Sequence, residues 1–269
     1  MKRIVLFLIL ILLPIAPLAL ASNTYYLPVF KPGPSHWSGL AVANLSSAAS
    51  NSVNVMLYDT AGTHMATETK NLPANGQESF LVGTTMTASG WIQVTSEHPL
   101  AGLNFMGQYT GGTENYYLAD VPFVETLSDS LVVPHVAQHG SWDTDILMAN
   151  PNGSAVTVTL TYSNKGGTAS PAYNTTLPAN GSAVISVATI TGSSEIRGGK
   201  VTITANRGLC AFALYYNLKI GRYSYTGINA VDTSNSIVGS WGYGYYPTGT
   251  GNNGEQEYVS ITLYPTGYY

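Results

Sequence analysis

The densest run of side chains with metal-ligand chemistry is His135-x-x-x-His139-x-x-x-Asp143-x-Asp145. Imidazole nitrogens and carboxylate oxygens hold a divalent cation when they converge on one point. In an extended strand, residues four apart share a face but stand roughly 13 Å from each other at about 3.3 Å per residue, so the run holds an ion only where the chain bends. Asp143 and Asp145 are the narrower candidate, for calcium near a junction, although Asp-x-Asp is too short for an EF-hand loop. Other catalytic patterns are missing: the chain has no Gly-x-Ser-x-Gly elbow, no His-Glu-x-x-His pair and no Gly-x-x-x-x-Gly-Lys phosphate loop. Glu97 with His98, and Glu255 with Glu257, read as ordinary surface charge, and the scattered acids nominate no carboxylate pair of glycosidase type. The expectation is a protein that is not an enzyme, with no catalytic residues and no cofactor.

The remaining chemistry is aromatic. The chain has 19 tyrosines and four tryptophans. Tyrosine buries its ring and keeps its hydroxyl wet, so it serves sheet faces, protein interfaces and sugar stacking alike. Trp91, Tyr116, Tyr117, Tyr223, Tyr225, Trp241, Tyr243 and Tyr245 are the candidates for contact with a ligand or partner. The competing reading of the tyrosines is cross-strand packing on an exposed sheet face. Cys210 stands alone and makes no internal disulfide; its flanks, Leu209 to Leu214, read as a buried strand in which it is a small hydrophobe.

The elements that position these residues come in two copies. Leu-Pro-Ala-Asn-Gly occurs at Leu72–Gly76 and again at Leu177–Gly181, and its surroundings repeat with it. Leu27-Pro28 matches Val133-Pro134, Trp37 matches Trp142, and the runs ending in Ala43-Asn44 and Ala149-Asn150 match each other. Gly90–Thr95 matches Gly199–Thr204. A period of roughly 100 residues is a whole domain rather than a solenoid unit. Val53, Val55 and Leu57, and again Val156, Val158 and Leu160, alternate with polar or less apolar residues, as strands with one buried face do. Asn75-Gly76 and Asn180-Gly181 suit positive φ, so each is a tight turn, and Pro73 and Pro178 end the preceding strands. Each module should hold seven or eight short strands facing each other as a β-sandwich. The expected inner set is Leu40, Val42, Val55, Leu57, Trp91, Ile92, Val94, Leu103 and Phe105 in the first copy. In the second it is Ile146, Met148, Val158, Leu160, Val201, Ile203, Phe212 and Leu214. No helical period is expected outside the N-terminal segment.

Domain boundaries follow. Met1-Lys2-Arg3, an apolar run from Ile4 to Leu20 and Ala19-Leu20-Ala21 read as a signal peptide, residues 1–21. The first module is 22–123, a linker 124–130, the second module 131–230, and a Tyr/Gly-rich hairpin or tail 231–269. In the tail, Val259, Ile261 and Leu263 alternate with polar residues and tyrosines. That strand either completes the second sandwich or is offered to another molecule by strand addition. Removal of Lys2 and Arg3 leaves eight of the 10 basic residues against 14 acidic ones, a net charge of −6. Such a chain lacks the basic footprint of a nucleic-acid binder, and with 45% hydrophobic residues it can build cores. No later segment is apolar enough to span a bilayer as a helix.

Pro28-Val29 and Pro134-His135 near each start, the Trp-to-Asn strands, the twin Leu-Pro-Ala-Asn-Gly and Gly90-Trp-Ile-Gln-Val-Thr-Ser-x-x-Pro-Leu-x-Gly102 carry a resemblance. Together they resemble the tandem immunoglobulin-like β-sandwich repeats of bacterial extracellular proteins, which mostly have no assigned activity. The resemblance runs from Tyr25 to Asn229 and departs where Trp91 becomes Lys200 and Pro99 becomes Gly208. It implies an all-β fold of two tandem immunoglobulin-like modules, outside the cell or on its surface, with the periplasm as the alternative. The function expected is structural or adhesive, through protein surfaces or self-association. A carbohydrate-binding module using exposed Tyr and Trp is the alternative, and a secreted hydrolase a more distant one.

Overall fold

A computed structural model describes residues 22–33, 36–109, 116–140, 142–217 and 224–233. The signal segment and all of 234–269, with the expected C-terminal hairpin, lie outside the described residues. The chain is all-β. The first module runs through β1 (Asn23–Phe30), β2 (His36–Asn44), β3 (Asn51–Asp59), β4 (His64–Leu72), β5 (Gln77–Val82), β6 (Gly90–Ser96), β7 (Leu100–Tyr109) and β8 (Tyr116–Pro122). These form two antiparallel sheets, β1-β6-β3-β4 and β5-β2-β7-β8. The second runs through β9 (Ser128–Val133), β10 (Ala137–Gln138), β11 (Trp142–Ala149), β12 (Val156–Ser163), β13 (Tyr173–Leu177) and β14 (Ser182–Ser186). It continues through α1 (Val187–Thr191), β15 (Ile196–Arg197), β16 (Lys200–Asn217), β17 (Ser224–Asn229) and β18 (Val231–Asp232).

The duplication is topological as well as sequential. β9-β16-β12-β13 repeats β1-β6-β3-β4, and β14-β11-β16-β17 repeats β5-β2-β7-β8. The 18-residue β16 does alone what β6 and β7 do separately. Pro99 interrupts the first copy, because proline has no N–H for the ladder; Gly208 stands at the matching place and the strand continues through a register shift.

The twin pentapeptide is held by the twin Ala-Asn. The Asn44 amide donates to the Pro73 carbonyl at 2.9 Å and the Asn150 amide to the Pro178 carbonyl at 2.7 Å. The backbone N–H of Asn44 reaches Gly76, and that of Asn150 reaches Gly181, both at 2.8 Å. Asn75 and Asn180 take φ of 53° and 54°, the left-handed conformation that Asn tolerates better than most residues. At Gly76 and Gly181 any Cβ would strike the ring of the proline three residues back. The expected turns are therefore present, and each is fastened by a buried Asn from a different strand.

Four expectations change. The linker 124–130 is structured: Val124 exchanges backbone bonds with Tyr26, and β9 starts at Ser128. A short helix, Val187–Thr191, escaped the periodicity; Ser186 caps it by accepting from the Thr189 N–H, and Val187 and Ile190 are buried. On β7 the inward side chains are Asn104 and Met106, not Leu103 and Phe105, which lie half-buried on the outer face. The Asn104 amide donates to the Val29 carbonyl at 3.1 Å, a partner that strand alternation cannot reveal. Lastly, counting back from the equivalent Asn44 and Asn150, Trp37 is seven residues away and Trp142 eight, so the two point to opposite faces. Trp37 lies across Gly39 and Gly107 on the outer face, and Trp142 packs on the second module's own core. Among the described residues no helix is long and apolar enough to cross a membrane.

Candidate functional site

The two modules are packed directly on each other. On β11 and β16 the side chains alternate between two buried environments. Ile146, Met148, Ala211, Ala213 and Tyr215 face the second module's core. Leu147, Phe212 and Leu214 join the first module's core, and Ala149 and Cys210 pack on Trp91. Phe212 and Leu214, expected inside the second sandwich, are buried against the neighbouring module instead. An uninterrupted apolar run such as Leu209–Leu214 is the signature of a strand covered on both faces.

The receiving surface is built from β1, β3 and β6 and the segment after β8. Trp91 is fully buried, its ring stacked on Tyr58 at 4.7 Å and 12°. Its indole N–H donates to the Asn180 carbonyl at 2.6 Å, on the second pentapeptide turn. Beside it the Ser182 N–H donates to the Thr60 carbonyl at 3.1 Å. Gly62, with φ of 92°, lets the Ala179 carbonyl approach where a Cβ would collide. Tyr26, Val124 and Leu127 close the patch. Trp91 is thus not the surface contact that its residue type suggested but the anchor between modules. Gly90 before it abuts the Tyr58 carbonyl, so the strand sits close enough for the ring stack.

Polar groups at the same junction account for the acidic pair. Asp143 and Asp145 share the β11 face that meets the first module. Burial raises the Asp145 carboxyl above its usual range, while Lys31 of the first module and a hydrogen bond from Tyr216 act the other way. Lys31 is lowered by its own burial, and Asp145 opposes that shift. Asp143 accepts from the Gln138 amide and is raised by burial. Among the described residues no three His, Cys, Asp or Glu side chains converge as metal ligands do. The expected run is dispersed: His139 pairs with Glu195 at 2.5 Å, His135 stacks on Tyr215 at 5.8 Å, and Asp145 lies within the electrostatic influence of Lys31. For Asp143 and Asp145 the further ligands that a calcium site needs are not found among the described residues. Cys210 is sealed, its thiol pushed up to about 12 by burial.

Among the described residues, nothing equivalent packs on the same face of the first module. Ala41 pairs with Leu103 as Leu147 pairs with Phe212, so Ala43, Ala101, Leu103 and Phe105 correspond to Ala149, Cys210, Phe212 and Leu214. The second set is buried; in the first, Ala101 is exposed and the others half-buried. Leu81, on the adjoining edge strand, is 52% exposed. A shallow pocket of about 160 Å³ opens beside Trp37 and Leu81, below the roughly 300 Å³ at which ligand pockets begin. Of the other aromatic candidates, Tyr116 and Tyr117 lie on β8 opposite Tyr109 and Gln108, and Tyr225 on β17 opposite Tyr216. Tyr223, Trp241, Tyr243 and Tyr245 lie outside the described residues. Nothing in the sequence marks Tyr26, Tyr58 and Leu81, whose roles depend on which module lies alongside.

Fold and junction together define a two-module β-sandwich protein in which, among the described residues, one sheet face is covered and its twin is open. No family model matches the chain, and no curated protein matches it. Among solved structures it is similar at 8% identity and a TM-score of 0.17 to a beta-glucuronidase from glycoside hydrolase family 2, over 81% of this chain and 24% of that one. It is also similar, at 9% identity and a TM-score of 0.16, to Bacteroides uniformis beta-glucuronidase 2, over 79% of this chain and 26% of that one. The chain spans about a quarter of the length of each, and likenesses of this size carry no statement about its activity.

Proposed function

We propose that this chain is a secreted or cell-surface structural protein that works through protein–protein contacts, with no catalytic site of its own. The observation that carries this reading is the unequal fate of two equivalent faces. Leu147, Cys210, Phe212 and Leu214 are covered by the neighbouring module, whereas Ala41, Ala101, Leu103 and Phe105 are left partly open with Leu81 beside them. Contiguous exposed apolar surface commonly marks a contact site. Export rests on the basic head, apolar run and Ala19-Leu20-Ala21 at the N-terminus. Burial of Trp91 removes the best single platform for sugar stacking, which weighs against a carbohydrate-binding module.

The test takes the mature chain, 22–269, and measures self-association by sedimentation and retention on the producing cell by fractionation. Assembly or retention that is lost on Leu81→Asp and Ala101→Arg supports the reading. A protein that is monomeric at all concentrations, is not retained, and binds a glycan array with both substitutions in place would remove it.

A further inference from the structure

The junction between the modules is asymmetric. One partner contributes a sheet face and a pentapeptide turn; the other contributes a strand edge, a hairpin turn and a hydrogen-bond donor. Because the chain is a duplication, each module has a copy of both halves. The first module's edge and the second module's face meet inside the molecule. The first module's face and the second module's edge do not.

Both unmet halves keep the chemistry of the met ones. On the face side, the Leu72–Gly76 turn has the geometry of the turn at Leu177–Gly181, with Asn75 at φ 53° and exposed where Asn180 is at 54° and half-buried. Gln77 is exposed where Ser182 is buried. Ala41, Ala43, Ala101, Leu103 and Phe105 stay apolar although none of the described residues covers them fully.

On the edge side, the register places Val132 and Val231 where Tyr26 and Val124 stand; both pairs bridge backbone to backbone, and both valines are half-buried. Gly167, at φ 83°, repeats Gly62 at the hairpin turn, with open space where Gly62 meets Ala179. Lys200 takes the place of Trp91 and is exposed. That exchange loses the indole ring but keeps an N–H donor, the group that Trp91 presents to the Asn180 carbonyl.

We infer that the open face of the first module docks on the open edge of the second module of another copy, repeating the internal junction head to tail. Lys200 of one molecule then donates to the Asn75 carbonyl of the next, as Trp91 does to Asn180. A heterologous contact of this kind does not close on itself as a two-fold dimer does, so it produces a growing row or a ring. The second-module edge lacks Trp91 and Tyr58, whose positions hold Lys200 and Ser163, so the contact between copies is weaker and more salt-sensitive than the one within them. This inference rests on the reading of the chain as a contact protein and names the contact and the partner.

The test is a mixing experiment on the full mature chain. Leu103→Glu blocks the face and Lys200→Glu the edge; Ala101→Arg and Val132→Asp are second variants at the same two surfaces. All four positions are at least partly solvent-exposed, and circular dichroism with thermal melting checks that each variant folds. By sedimentation, the unmodified chain should pass beyond dimer as concentration rises. Each single variant should remain monomeric with an apparent Kd weakened at least tenfold. An equimolar mixture of Leu103→Glu and Lys200→Glu should stop at a one-to-one dimer, because each molecule retains one working half. A mass that stops at dimer and is indifferent to Lys200→Glu would mean face-to-face pairing and overturns the inference. So does a strictly monomeric unmodified chain, in which residues 234–269 or no partner cover the face. Assembly that survives both substitutions overturns this junction while leaving self-association standing, so it separates the inference from the broader reading.

Discussion

Sheets β5-β2-β7-β8 and β14-β11-β16-β17 share strand order, register and the Asn that holds the following turn. Their outer faces differ in side-chain size. The first presents Ala41, Leu103 and Phe105, with Trp37 flat over two glycines; the second presents Leu147, Phe212 and Leu214, with Asp145 set against Lys31. The receiving edges differ in the opposite sense, Trp91 and Tyr58 in the first module against Lys200 and Ser163 in the second. Duplication therefore supplied two copies of one interface, and substitution strengthened the halves that meet within the chain. The lesson is that sandwich identity and docking identity sit on different residues: the inward set with the Asn and Gly turns makes the module, and the outward set decides what it touches.

The most severe way to break the comparison is Trp91→Ala. Removal of a fully buried indole with its hydrogen bond should cost about 3–5 kcal/mol and separate one cooperative unfolding transition into two. Cys210, packed beside Trp91 and unreactive in the intact junction, should then be labelled by a thiol reagent at denaturant concentrations that leave the far-ultraviolet signal intact. If Cys210 stays protected until global unfolding, Trp91 does not hold the modules together. The paired substitutions Phe212→Ala and Leu103→Ala sharpen the contrast at one structural position. The first should cost about 3–5 kcal/mol for a buried ring, and the second about 1 kcal/mol or less in the isolated molecule, as at ordinary surface sites. Equal losses by denaturant melting would mean that the first-module face is already covered.

Asn44→Ala and Asn150→Ala probe what the modules share. Each side chain donates to at least two backbone carbonyls and accepts from a nearby N–H, so each loss should be about 1–3 kcal/mol, with the two values close to each other. A large inequality would show that the twin turns are fastened differently. The smallest effect is in pH dependence. Burial, with Lys165 adding to it, holds His135 below its ordinary value. As pH falls from about 6.5 the unfolded chain takes up the proton first, so stability present above that pH is lost as pH drops toward the folded value. His135→Gln should flatten the fall in Tm between pH 7 and 5. The equivalent first-module position is Val29, so this histidine's share of the slope belongs to the second module; an unchanged profile would assign the slope to His36, which burial also lowers.

The strands, the duplication and the turns were legible because their causes are local. Val53, Val55 and Leu57 alternate under the two-residue period of a strand, and Asn75-Gly76 carries its own backbone preference. Where both parities of a strand are apolar, or a polar residue is inside, that period gives no direction. Asn104 is buried because Val29, 75 residues away, offers a carbonyl, and Leu103 is consequently outside. Trp91 and Ile92 are both buried because one meets the other module and the other its own core. Asp143 and Asp145 looked like cation ligands because nothing in their neighbourhood along the chain announces Lys31. The sequence by itself thus determined the module, since propensity, alternation and turn chemistry act within a few residues. Only the tertiary structure decided which face is covered and which is open, because that depends on surfaces far apart along the chain coming into contact, as at Thr60 with Ser182.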